Sequence, residues 1–348
     1  MEIGSIYSIA TLETKQHSSI RLAGESAAYF SLCREALLVI VQKYRESSKK
    51  VLLPAYTCQT VIDPFLQEGW EIEYYNISSR LRIDTVDLIA KFNSFKPALC
   101  VAHPYYGADL NEEELNALSI IKSKNCVLVE DLTQCVFSEQ RSPIFDYFTG
   151  SYRKWFAIPD GSFLIGNITV DNELEENEQF IQPMSDAMYL RGVFHHTGDV
   201  NIKEVSRRIG NIAIHQISGI IEPHRMSDFS CSLLSNIDIE ETKKRRYENY
   251  QYLYKNLQGN GVCRPVKREL EEVTCAPLFF PVYVENRASF QKKLAQQEVF
   301  APVLWPVHTD SVLINDQIQK IYDNILMLPI DQRYGEEDMQ RMVDVIKS

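Results

Sequence analysis

Short apolar runs alternate with amphipathic stretches through the first half of the chain. The spacing predicts a helix over 32–46 (LCREALLVIVQKYRE), a short buried strand at 51–53 ending at Pro54, and a second helix near 59–68. An alternating strand at 71–77 (EIEYYNI) and a helix over 84–93 follow. Next come strand 98–103 (ALCVAH), helix 111–123 and strand 126–130 (CVLVE). This βαβα rhythm implies an α/β protein with a mostly parallel central sheet flanked by helices on both faces. From about residue 236 the texture changes. A long charged helix (240–257) leads to strand 278–284 (LFFPVYV), helix 287–297, the segment VFAPVLWP and a terminal helix at 335–347. The expected organisation is a large domain over 1–235, including an N-terminal arm, and a smaller C-terminal α/β domain over 236–348. No internal repeat or low-complexity segment interrupts it.

Composition narrows the class. At 348 residues the chain exceeds the size at which a single core usually stops growing, which supports the two-domain division. The 45% hydrophobic and 24% charged content is that of a globular protein, and no apolar run is long enough to suggest a membrane span. The N-terminal MEIGSIYSIATLETKQ lacks the basic start and apolar centre of a signal peptide, so a cytoplasmic location is expected. A net charge of −11 argues against a nucleic-acid surface, which needs clustered Lys and Arg. The eight cysteines form no CxxC pair, and Cys100 and Cys126 fall inside apolar runs. Reduced thiols, with neither a zinc ribbon nor a thioredoxin-like site, are the expectation.

In open α/β sheets ligands bind at the carboxyl ends of the strands. Four such places stand out: Pro54-Ala55-Tyr56-Thr57-Cys58, His103-Pro104-Tyr105-Tyr106-Gly107, Glu130-Asp131-Leu132-Thr133-Gln134 and Gly150-Ser151-Tyr152-Arg153-Lys154. They offer acids, a lysine, aromatics and hydroxyls. Seven segments in order, SLCREALL (31–38), VLLPAYTC (51–58), HPYYGAD (103–109), VLVEDLTQ (127–134), SYRKW…PDG (151–161), HRMSDFS (224–230) and LMLPIDQRYGEEDM (326–339), resemble the DegT/StrS-type aminotransferases, a branch of the fold-type-I pyridoxal-phosphate (PLP) enzymes. The resemblance runs over roughly 30–348.

The resemblance implies PLP as cofactor and Lys154 as the Schiff-base lysine, which must be neutral part of the time to react. Arg153 beside it is a candidate neighbouring cation. Asp131 matches the aspartate that pairs with the pyridinium nitrogen, and Gln134 the residue on the cofactor's phenolic side. Cys33 and Arg34 stand where the family has a Gly and an amide donor for the phosphate, at a helix start. Thr149 is the expected phosphate hydroxyl, with Ser151 competing. Cys58 replaces the usual aromatic after Thr57, which leaves ring stacking to Tyr56 or His103. HRMSDFS resembles a segment contributed by a neighbouring subunit. Pro223 stands there in place of the family's Asn, and Arg225 remains as a phosphate or carboxylate contact. A homodimer with composite active sites is therefore implied.

The implied activity is ping-pong transamination from glutamate to a nucleotide-linked ketosugar, for polysaccharide or natural-product biosynthesis. Two alternatives are a PLP enzyme acting on an amino acid or another carbonyl substrate, and a non-catalytic PLP-fold binding protein. His195, His196 and Asp199 invite a metal reading, but adjacent histidines do not converge readily on one ion, and no metal is expected. Tyr247, Tyr250 and Tyr254 share a helical face and read as packing. The Glu173–Glu178 run reads as a solvated edge, and Trp155 and Trp305 as core or pocket wall.

Overall fold

The computed structural model describes residues 2–9, 27–170, 173–266, 270–307 and 315–348. The expected N-terminal arm is thus described only at 2–9, and His308 of the VLWPVH segment lies outside the described residues. The first half runs β1 (Ala28–Phe30), α1 (Cys33–Lys43), β2 (Lys50–Pro54), α2 (Gln59–Gln67), β3 (Glu71–Tyr75), α3 (Thr85–Phe95) and β4 (Leu99–Ala102). It continues with α4 (Glu112–Lys122), β5 (Val127–Asp131), β6 (Tyr147–Ser151) and β7 (Ser162–Gly166). Beyond these come α5 (Glu178–Thr197), α6 (Val200–Gln216), α7 (Asp228–Leu234) and α8 (Ile239–Leu257). The remaining elements are β8 (Arg264–Pro265), β9 (Phe280–Tyr283), α9 (Arg287–Gln296), α10 (Asp316–Asn324), β10 (Ile325–Leu328) and α11 (Glu336–Lys347).

Among the described residues the large sheet has seven strands in the order β1-β7-β6-β5-β4-β2-β3. Strands β3, β2, β4, β5 and β6 are parallel, whereas β7 runs antiparallel to β6 and pairs antiparallel with the edge strand β1. The parallel strands are buried on both faces, which is why they read as unbroken apolar runs such as LCVA. Local chemistry fixes the helix starts between them. Asp84 caps α3 by accepting from the Asp87 amide at 3.1 Å, and Asn111 and Glu114 form a reciprocal capping box on α4.

A second sheet, β10-β9-β8, is antiparallel. Its core gathers Tyr250 and Leu253 of α8, Phe280 and Val282 of β9, and Met339 and Met342 of α11. Tyr250 is buried there and stacks on Tyr254, so the tyrosine face of the charged helix is a packing surface. Ile3 joins the same core: its amide donates to the Glu298 carbonyl at 2.9 Å, and its carbonyl accepts from the Phe300 amide at 2.7 Å.

The periodic reading found the elements from 32 to 131 to within two or three residues. It gave no assignment to β1, β6, β7, β8, β10, α5–α7 or α10. Strands β6 (YFTGS) and β7 (SFLIG) are short and carry Gly, Ser and Thr, which weaken an apolar signal. Helix α5 contains Pro183, and it packs on α6 through small residues: the Ser206 hydroxyl donates to the Ala187 carbonyl at 2.7 Å beside Gly210. His195 and His196 end α5 and Asp199 caps α6.

Candidate active site

The parallel strands deliver their carboxyl ends to the side of the sheet where α1 begins. There β4 ends before His103, β5 ends at Asp131, and β6 runs into the turn that carries Lys154. A small cavity of ≈ 20 Å³ lies between them, and Lys154, Asp131, Gln134, Cys33, Arg34 and His103 all line it. Six sequence-predicted site residues therefore converge. Past Lys154, Gln134 and Trp305, which line both spaces, a larger pocket of ≈ 480 Å³ opens.

Asp131 is nearly inaccessible, and its carboxylate has two partners. Oδ1 accepts from the Thr133 amide at 2.9 Å, and Oδ2 lies 3.5 Å from Nδ1 of His103. Burial pushes the His103 imidazole below its usual pKa and Lys154 adds to this, while Asp131 opposes it. A neutral ring with its proton on Nδ1 faces the carboxylate, and Nε2 then accepts from the Thr57 hydroxyl at 2.7 Å. The Cys33 thiol is pushed up to about 12, chiefly by burial and then by Asp131, so it stays protonated. Gln134 holds the loop after β4 by accepting from the Tyr106 amide at 3.3 Å.

The other expected residues do not line the cavity. Tyr56 is fully buried; its hydroxyl donates to the Leu304 carbonyl and its ring packs among Tyr105, Trp305 and Tyr322. His103 is the aromatic left facing the site. Thr149 is paired in register with Asp131, fully buried, with its hydroxyl within reach of the Cys33 thiol beneath the cavity. Ser151 is buried at the start of the Lys154 turn. Arg225 lies at the sheet edge, bridged to Phe30, and is ion-paired with Glu176 and Asp228 at 2.8 Å each.

One residue of the site escaped the sequence reading as a ligand contact. The Arg153 guanidinium sits over the Phe180 ring, 5.6 Å from its centroid, on the wall of the larger pocket. Among the described residues it makes no hydrogen bond or ion pair. Burial pushes it down to about 10 and neighbouring Arg34 adds to this, against the opposing pull of Asp160 and Cys58. A cation so placed lacks an anion. The Leu32 side chain does not cap the first turn of α1, where Cys33 and Arg34 begin the helix, and the Glu35 carboxylate accepts from the Leu32 amide at 3.3 Å. The start of α1 lines the small cavity, and Arg153 lines the larger pocket next to it. The adjacency of Arg153 to Lys154 was the only signal in the sequence.

The donor set fits PLP: a buried carboxylate for the ring nitrogen, a lysine, the amides of a helix start and a guanidinium that makes no ion pair among the described residues.

Comparison with known proteins agrees with this geometry. The chain matches CalS13, a sugar aminotransferase from Micromonospora echinospora, at TM-score 0.65 and 15% identity, covering 94% of this chain and 88% of that one. It matches PseC of Helicobacter pylori, an aminotransferase of pseudoaminic acid biosynthesis, at TM-score 0.67 and 12% identity, covering 99% and 98%. NtdA of Bacillus subtilis, solved with the cofactor PMP bound, matches at TM-score 0.66 and 16% identity, covering 94% and 74%. No curated protein sequence matches the chain. The fold is that of the fold-type-I PLP aminotransferases. Residues 188–347 match the model of the DegT/DnrJ/EryC1/StrS aminotransferase family, a segment that excludes Lys154 and Asp131.

Proposed function

We propose that this chain is a PLP-dependent aminotransferase that carries an amino group from glutamate to a nucleotide-linked ketosugar. The observation that carries the reading is the convergence of Lys154 and Asp131 on one cavity at the strand ends, beside the start of α1. When bound, the cofactor supplies an electron sink for the substrate's α-carbon. Asp131, held by the Thr133 amide and His103, keeps the proton on the ring nitrogen. The Lys154 amine binds the cofactor and then moves a proton on and off the substrate carbon. Arg153 and the first-turn amides of α1 hold the phosphate. The ≈ 480 Å³ pocket beyond Lys154 receives the substrates, with Trp305 at its boundary.

The acting unit in this reading is a homodimer. In support, α5, α6 and the segment after them expose Tyr189, Val200, Ile212, Ile214 and Ile220, the last at 84%. No helix among the described residues is long and apolar enough to cross a membrane. The test is a half-reaction: PLP-loaded protein with glutamate should release 2-oxoglutarate, and a panel of nucleotide ketosugars should then regain the amino group. Absence of 2-oxoglutarate release with every amino donor tried would overturn the reading.

A further inference from the structure

Apart from the Lys154 cavity, three stretches distant in sequence bring Asp109, Cys135 and Cys275 together. A carboxylate oxygen and the two Sγ atoms lie mutually within 4.8 Å. Asp109 belongs to the loop after β4, Cys135 follows Gln134 beyond β5, and Cys275 precedes β9. The turn between them is built for close approach. Tyr106 and Gly107 both have positive φ, +46° and +83°. A Cβ at Gly107 would lie 2.7 Å from the Cys275 carbonyl oxygen, so only glycine lets these backbones meet. The Gly107 amide donates to Cys135 Sγ at 3.2 Å, and its carbonyl accepts from the Cys275 amide at 3.0 Å.

The carboxylate supplies a second, independent sign. Asp109 Oδ2 accepts from the Thr274 hydroxyl at 2.7 Å, but Oδ1 is buried with no hydrogen-bond partner. An acceptor left unsatisfied beside two thiols costs free energy that simple packing of the cysteines does not return. The Cys135 thiol also reaches the Pro104 carbonyl at 3.4 Å, the contact of a protonated sulfur. A bound cation would replace that contact and satisfy Oδ1 at once.

We propose that Asp109, Cys135 and Cys275 form a binding site for a thiophilic divalent cation of the zinc type, completed by a water molecule. Two thiolates and a carboxylate suit that class, whose bonds are about 2.3 Å to sulfur and 2.0–2.2 Å to oxygen in a tetrahedron. From separations within 4.8 Å, the three atoms need to draw in by only roughly 1 Å. Binding releases the two thiol protons to solvent. The bound ion clamps the segment before β9 to the loop after β4 and to the turn that carries Gln134. Its role is structural, and it does not depend on the transaminase reading.

The test uses the full-length, reduced, metal-stripped protein titrated with Co(II). The expected result is a thiolate-to-cobalt charge-transfer absorbance that saturates at one ion per chain and is displaced by Zn(II). Cys275→Ser should lose that absorbance, and Asp109→Asn, which keeps both sulfurs, should weaken binding at least about tenfold. Cys231→Ser, at an exposed cysteine, should change nothing. Circular dichroism checks that Cys275→Ser folds, and Asp109→Asn decides the matter if it does not. No charge-transfer band in the wild type, or a band unaltered by both substitutions, overturns the site. A Cys135–Cys275 disulfide in peptide maps of protein that binds no cobalt overturns it as well.

Discussion

Replacing Arg153 by methionine keeps the stem that packs on Phe180 and removes the cation. If Arg153 holds the cofactor's phosphate, the variant loses a charge-assisted hydrogen bond worth about 1.5–3 kcal/mol. That converts to about a 10- to 150-fold weaker affinity for PLP. Pyridoxal, which lacks the phosphate, should bind wild type and variant within about twofold. The cofactor-free variant should moreover be the more stable protein. Burial already pushes the Arg153 guanidinium down against the pull of Asp160 and Cys58, and it makes no ion pair among the described residues, so its removal relieves a cost on the order of 1 kcal/mol. Equilibrium titration by absorbance gives both affinities, and urea denaturation of the cofactor-free proteins gives the stability difference. An equal loss of PLP and pyridoxal affinity would refute the phosphate assignment, because it would report general damage to the pocket.

Two further perturbations probe the same end of the sheet. Asp131→Asn should retain cofactor while slowing the glutamate half-reaction by at least about 100-fold in stopped-flow absorbance, since a neutral amide does not hold the ring proton. Glu130 is buried with Oε2 unpartnered, and burial pushes its carboxyl up to about 8, Arg141 opposing. Its folded pKa exceeds the unfolded value of about 4.3, so its stabilising contribution is full below that value and is lost as pH rises through about 8. Urea midpoints measured from pH 4.5 to 8 should fall less steeply with pH in Glu130→Gln, and parallel profiles would contradict the assignment.

Much of the parallel sheet was legible in the sequence, because strands buried on both faces become short apolar runs between turn residues, as in ALCVAH and CVLVE. Asp131 and Gln134 were legible for the same reason: a strand end locates them. Strand β6 and its antiparallel neighbour β7 were not, since Gly150, Ser151, Ser162 and Gly166 dilute them. Tyr56 illustrates what a linear reading misses. It sits at a strand end beside Thr57, but its hydroxyl is taken by Leu304, some 250 positions along the chain, and its ring packs among aromatics of the core. Arg153 and the Asp109–Cys135–Cys275 group were hidden likewise, the first by the direction of a turn and the second by long separation along the chain.

The central claim is that Lys154 is the covalent anchor of the cofactor. It is tested most directly by incubating the protein with PLP, reducing with borohydride, and mapping the modified peptide by mass spectrometry. A phosphopyridoxyl adduct on Lys154, absent from Lys154→Ala, is the predicted result. An adduct confined to other lysines, or none at all, would contradict it.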